Sequence, residues 1–307
     1  MANANHHRII SLIPSATEIV ELLGLQIVGR SHECDYPSYV KSLPICTEPK
    51  FDPEGTSIEI HERVSKILMA ALSVYRVKLD VLETLKPTHI LTQAQCEVCA
   101  VSLGDVETAV AQLTGSAPKV ISLQPNLLAD VWDDIARVAA VLEVPAESAL
   151  ESLQLRVVAC REKALMATKK PTVACIEWIE PLMAAGNWVP ELVALAGGEN
   201  LFGVVGEHSP WLKAEALFAA DPEIIIFMPC GFDIERTRSE ALAQVKSSEW
   251  QVLQAVQNKK VFVVDGNQYF NRPGPRLVDS LEILAEIFHP DLFSANYAGF
   301  GWQSLID

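Results

Sequence analysis

No apolar run in this 307-residue chain approaches the roughly 20 residues that a membrane-spanning helix needs. Positive charge is also scarce: 24 lysines and arginines stand against 39 aspartates and glutamates, a formal net charge of −15. Nucleic acids and anionic membrane surfaces require basic patches, so neither is expected as a main partner. The Gly-x-Ser-x-Gly elbow of hydrolases and the Gly-x-x-x-x-Gly-Lys phosphate loop are both missing. Cysteine is present in an odd number, seven, which fits free thiols or metal ligands better than a disulfide framework. Met1 to His7 is polar, and the apolar stretch Ile9 to Ile13 is broken by Ser11 and stopped by Pro14. A secretory signal has a cationic start, about 7–15 apolar residues and a small-residue cleavage site. On this pattern the expected location is cytoplasmic.

What is present is half apolar, enough for two ordinary cores. Short apolar runs read as strands at 8–13, 27–30, 89–92, 119–123, 172–176, 200–205, 224–227 and 260–264. Helical periodicity fills 17–23, 60–73, 81–85, 102–113, 127–142, 190–196, 213–220 and 277–288. Such alternation predicts parallel sheets of the α/β class. The longest helical segment, Ala146 to Thr168, has Pro145 before it and Glu147 and Glu151 near its start. Leu150, Leu153, Val157, Cys160 and Ala164 form one stripe, and Lys169-Lys170-Pro171 ends it. The plan before this helix returns after it. Lys86-Pro87-Thr88 before the strand at His89 is echoed by Asp221-Pro222-Glu223 before Ile224, and Lys119–Leu123 by Lys260–Val264. The predicted organisation is therefore an N-terminal α/β lobe (1–144), a linking helix (145–170) and a C-terminal α/β lobe (171–307), with a ligand cleft between two similar lobes.

In open parallel sheets ligands collect at the carboxyl ends of the strands. The loops at those ends are 14–17, 31–37, 93–99, 124–125, 177–188, 229–233 and 266–275. Those of the second lobe are rich in aromatics and restricted turns: Trp178, Trp188, Tyr269, Phe270 and the run Arg272-Pro273-Gly274-Pro275-Arg276. Aromatic planes with a few fixed polar groups suit a flat organic or macrocyclic ligand; the competing reading is that they pack the domain. Cys34, Cys96, Cys99 and Cys230 also fall in strand-end loops, with His32 two residues before Cys34. Three readings stay open for these thiols: zinc, iron or cluster ligands, a redox dithiol at Cys96-x-x-Cys99, or inert lining. The metal set would be His32, Cys34, Cys96, Cys99 and Cys230. A metal- or thiol-dependent enzyme using these residues is the alternative to a binding protein.

Several motifs carry a family resemblance. They are Arg8-Ile9-Ile10-Ser11-Leu12-Ile13-Pro14-Ser15-Ala16-Thr17-Glu18, Leu85-Lys86-Pro87, Ala196-Gly197-Gly198-Glu199-Asn200 and Ala220-Asp221-Pro222. Over about Arg8 to Phe288 the chain resembles the helical-backbone (type III) solute-binding proteins of ABC importers for cobalamin, haem and ferric siderophores. His32-Glu33-Cys34-Asp35-Tyr36-Pro37, Cys96-Glu97-Val98-Cys99, Pro229-Cys230-Gly231-Phe232 and the Arg272 run are similar to a cytosolic subgroup named cobalamin-binding by homology. The resemblance implies that cobalamin or a related corrinoid, tetrapyrrole or metal chelate is the bound small molecule. It places Ser15, His32, Glu33, Asp35, Tyr36, Trp178, Asn187, Trp188, Phe232, Tyr269, Phe270 and Arg272 at the ligand. It also implies an ABC permease as partner, docked through one glutamate per lobe, with Glu107 and Glu215 in the matching positions.

Overall fold

Ile9, Ile10 and Ser11 form the first strand, β1 (Ile9–Ser11), with every side chain buried, as a central strand covered on both faces requires. Pro14 then opens α1 (Pro14–Leu22) at the one helical position that loses no backbone bond to proline. The computed structural model describes residues 7–70, 73–94 and 101–306. Two compact units divide the chain. The first comprises 1–55, 59–125 and 129–151, and the second comprises 56–58, 126–128 and 152–307.

The first unit, which ends at residue 151 within α6 (Glu147–Ala164), continues with β2 (Ile27–Arg30), β3 (Thr47–Pro49), α2 (Ser57–Met69), β4 (Tyr75–Val77), α3 (Leu79–Leu85), β5 (His89–Gln93), α4 (Leu103–Gln112), β6 (Lys119–Leu123) and α5 (Leu128–Val141). Its main sheet has the order β2-β1-β5-β6, all parallel, and β3 with β4 forms a separate antiparallel pair. Ser102 caps α4 by accepting from the Asp105 N–H, the start expected from its sequence. Ile10, Leu12, Ile90, Leu82 and Val106 make the core on one face of the sheet.

The second unit contains β7 (Thr172–Trp178), β8 (Met183–Ala184), α7 (Val189–Leu195), β9 (Glu199–Asn200), α8 (Ala214–Ala220), β10 (Ile224–Phe227), α9 (Ile234–Val245), α10 (Gln254–Gln257), β11 (Val261–Val264), α11 (Leu277–Phe288) and β12 (Trp302–Ser304). Its parallel strands run β9-β7-β10-β11, the order β2-β1-β5-β6 over again, and β8 and β12 add antiparallel edges. The echoed dipeptides have one backbone cause. Lys86 (φ 46°) and Asp221 (φ 41°) both end their helices left-handed, donating to the carbonyls of the buried Leu82 and Leu217, before Pro87 and Pro222 forbid continuation.

Three expectations need correction. α6 ends at Ala164 rather than Thr168, because the Met166 and Ala167 N–H groups close tight turns on Lys163 and Ala164. Its stripe holds at Leu153, Cys160 and Ala164, which are buried. Residues 234–257 carry α9 and α10, and residues 302–304 carry β12; the periodicity reading assigned nothing to either stretch. The strand expected at 200–205 shrinks to Glu199–Asn200. Among the described residues, no helix is long and apolar enough to cross a membrane.

Candidate functional site

In the first unit the strand-end groups cluster after β1 and β2. Ser15 sits in the first turn of α1, buried, its hydroxyl without a hydrogen-bond partner. Thr17 Oγ1 lies 2.9 Å from Ser11 Oγ and 3.1 Å from Cys34 Sγ, so Cys34 is buried against a hydroxyl. Arg30 shapes the next loop. Its buried guanidinium donates to the carbonyls of Ser31 (3.0 Å), His32 (3.3 Å) and Cys34 (3.0 Å), wrapping residues 31–34 around one cation. His32 Nδ1 is 2.8 Å from Thr47 Oγ1, and its ring lies 5.2 Å from that of Tyr75. The Tyr75 hydroxyl donates to Glu33 at 3.4 Å. Burial first, then Arg30 and Lys78, pushes the His32 pKa down to about 4, so the imidazole is neutral at pH 7. Asp35 is half-buried and Tyr36 exposed.

In the second unit three loops meet at the ends of β7, β10 and β11. Phe232 is buried between two neighbours. Its ring centroid is 5.4 Å from that of Trp178, and the Arg236 guanidinium lies 3.7 Å above it. Trp178 Nε1 is a buried donor with no partner. Arg236 comes from α9, whose N-cap Asp233 accepts from the Arg236 N–H. The loop after β11 is pressed onto the loop after β10. Asn267 N–H donates to the Phe232 carbonyl (3.0 Å), and the Asn271 amide donates to the Met228 carbonyl (2.9 Å). Gly266 permits this approach, since a Cβ there would lie 2.2 Å from the Pro229 carbonyl oxygen.

Residues Gly266–Phe270 form a single π-type turn, an uncommon geometry that recurs at functional sites. Asp265 caps it, accepting from the Gln268 N–H (2.7 Å) and side-chain amide (3.0 Å). Burial raises the Asp265 carboxyl pKa, while Gln268 and the nearby Arg272 oppose the rise. Arg272 is buried and donates to Asn267 Oδ1 at 2.9 Å. Tyr269 and Phe270 are buried, and the Trp188 indole N–H donates to the Phe270 carbonyl at 2.9 Å. Trp188 and Phe270 therefore pack the unit's interior. Asn187 adopts φ 51° and holds the 201–212 loop through Glu207 (2.6 Å) and Gly206 (2.9 Å).

The structure thus groups His32 and Glu33 with Thr47 and Tyr75, and Trp178 and Phe232 with Arg236. The sequence reading did not name Thr47, Tyr75, Arg30 or Arg236 as site residues. Phe232 lies just before the N-cap of α9 and Arg236 in its first turn, so only assignment of that helix start would have brought the two together.

For the thiols, Cys96 and Cys99 lie outside the described residues. Among the described residues, no group of three or more histidine, cysteine or acidic side chains is placed to hold a metal. Cys34 is buried against Thr17, and Cys230 is half-buried at the β10 end. The five-residue metal set gains no support. Cys160 and Cys175 are core cysteines, as expected, and burial pushes the Cys160 thiol pKa up to about 12. Glu107 and Glu215 are exposed, Glu107 just past the first turn of α4 and Glu215 within the first turn of α8.

Residues 9–267 match the family model described as "Periplasmic binding protein". A Vitamin B12-binding protein of Vibrio cholerae is 26% identical over 284 residues, covering 90% of this chain and 86% of that protein. The Bacillus subtilis protein named "Uncharacterized ABC transporter substrate-binding lipoprotein YvrC" is 24% identical, covering 93% and 81%. Among solved structures, the periplasmic heme-binding protein RhuT from Roseiflexus sp. RS-1 in apo form superposes with a TM-score of 0.70 at 22% identity. That match covers 92% of this chain and 98% of RhuT, so the two share a fold.

Proposed function

This chain belongs to the periplasmic binding protein family, and from that premise we propose that it binds cobalamin or a related corrinoid, tetrapyrrole or metal-chelate ligand on its strand-end loops. The carrying observation is the platform of Trp178, Phe232 and Arg236, an indole with an unspent N–H, a phenyl ring and a guanidinium fixed side by side. Phe232 itself is buried; the half-buried Trp178 ring and Arg236 guanidinium beside it offer stacking area and a cation, which suits a large flat ligand with acceptor groups at its rim. Relatives named for vitamin B12 binding favour a corrinoid within that class. The enzyme alternative gains nothing from relatives named as binding proteins and as a substrate-binding lipoprotein.

Ser15, His32, Glu33, Asp35 and Tyr36 would supply the first unit's polar contacts. Trp178, Asn187, Tyr269 and Arg272 would supply the second unit's contacts, with Phe232, Trp188 and Phe270 acting through the packing behind them. The family relationship also supports an ABC permease as partner, with Glu107 and Glu215 as docking groups.

The test is calorimetric and spectroscopic titration of purified protein with cyanocobalamin and, separately, haemin. The expected outcome is a dissociation constant in the micromolar range or below for one of them, weakened about tenfold or more by Trp178→Ala. Affinities no better than millimolar for both ligands overturn the reading. The cytoplasmic location is likewise a proposal, and recovery of the native protein in a membrane or periplasmic fraction of its host overturns it.

A further inference from the structure

We infer that the C-terminal segment 296–304 sets the shape of the 265–276 loop, with Tyr297 as the positioning residue; the inference rests on reading that loop as part of the ligand site. Along α11, Asp279, Glu282 and Glu286 recur at spacings of three and four and so share one helix face. Each of these carboxylates holds the segment. Glu286, buried, accepts from the Asn296 N–H (2.7 Å), the Tyr297 N–H (3.1 Å) and the Trp302 indole N–H (2.8 Å). The Tyr297 hydroxyl lies 2.8 Å from both Asp279 Oδ1 and Glu282 Oε2. One phenolic proton serves two carboxylates there, and Arg156 of α6 supplies the balancing charge. It grips Glu282 through Nε (3.0 Å) and Nη2 (2.7 Å), and Asp279 through Nη2 (2.5 Å). Burial first, then Asp279 and Glu282, pushes the Tyr297 pKa far above the usual phenol range, so the hydroxyl remains a donor.

The same segment reaches the loop at two points. The Asp265 N–H donates to the Gly301 carbonyl at 3.1 Å, beside the antiparallel pairing of Val264 with Trp302. The Tyr297 ring packs edge-on against Tyr269, 6.2 Å between centroids, while Arg276 lies 5.3 Å from the Tyr269 ring centre. Asp265 is the cap of the π-type turn and Tyr269 lies within it. Loss of the Tyr297 hydroxyl breaks the segment's hold on Asp279 and Glu282 while sparing the ring and the bonds to Glu286, and the turn then loses part of its backing.

The experiment is hydrogen exchange by mass spectrometry on the full chain and its Tyr297→Phe variant, with cyanocobalamin affinity measured in parallel. Expected are at least tenfold faster exchange in peptides covering 265–272, unchanged exchange in β7 and β10, and affinity reduced at least fivefold. Wild-type exchange in 265–272 overturns the inference, as does an equal acceleration over the whole second unit, which would mark a merely structural role. Should Tyr297→Phe fail to fold, the double variant Asp279→Ala/Glu282→Ala, which removes both acceptors of the hydroxyl, is expected to show the same localised loosening, and its absence counts against the inference. A wild-type protein that binds no cyanocobalamin would remove the ligand reading, yet the exchange comparison would still decide whether the segment holds the loop.

Discussion

His32 enters the folded state with its imidazole largely out of water and with Arg30 and Lys78 nearby, and these effects bring its pKa from 6.5 to about 4. Its side chain is 21% exposed, so the shift acts on a mostly buried group. The unfolded chain takes up this proton near pH 6.5, whereas the folded chain resists it until about 4. Neutral His32 therefore contributes stability that is fully present above pH 6.5 and is lost as pH falls toward 4. The ceiling is roughly 3 kcal/mol, at about 1.4 kcal/mol per tenfold change in proton affinity. Urea unfolding at pH 7 and pH 4.5 tests this. The wild type should lose about 2 kcal/mol more than His32→Gln across that interval, and identical losses would remove the argument. His32, Phe232 and Trp178 stood out in the sequence because strand-end loops are recognisable and those of the second unit are rich in aromatics. Arg30 and Tyr297 did not, because a buried cation or a shared phenol is defined by several partners at once, here 1 to 141 residues away.

At the level of elements, the close approach of the β10 and β11 loops depends on one absent side chain. Gly266→Ala would put a Cβ 2.2 Å from the Pro229 carbonyl oxygen and 2.9 Å from the Met228 carbonyl carbon, both backbone atoms that cannot swing aside. The expected cost is about 2 kcal/mol or more by denaturant titration, and a change below about 0.5 kcal/mol would mean the loops separate freely. Helices with a strong apolar stripe, such as α4, α5 and α11, were read from sequence to within about two residues. α9 escaped for a physical reason. Its inward positions Ile234, Thr237, Ala241 and Val245 keep helical spacing, but threonine and alanine present no apolar signal amid six polar or charged neighbours. β12 is three residues long and half-buried, so alternation had nothing to act on. Its pairing with β11 is visible only once the segment 296–304 is fastened to α11.

On the scale of the whole chain, the repeated strand order was foreshadowed by the echoed dipeptides, because a left-handed helix end followed by proline leaves the same mark twice. Each unit also has its own core. Ile10, Leu12, Leu82, Ile90 and Val106 pack in the first, and Ile176, Ile225, Phe227, Trp250 and Val261 in the second. At about 1.5–3 kcal/mol for each fully buried large apolar side chain, either cluster supports cooperative folding on its own account. Scanning calorimetry is therefore expected to give a van't Hoff enthalpy below the calorimetric one, the sign of more than one cooperative unit. Equal enthalpies would show the chain melting as one body. A ligand stabilises whichever unit holds it, by about 2.7 kcal/mol at a free concentration one hundred times its dissociation constant. Saturating cyanocobalamin should then raise at least one transition in the trace, and an unmoved trace would remove the ligand reading. If only one transition rises, the ligand is held by a single unit, and the residues to keep as its contacts are those of that unit alone.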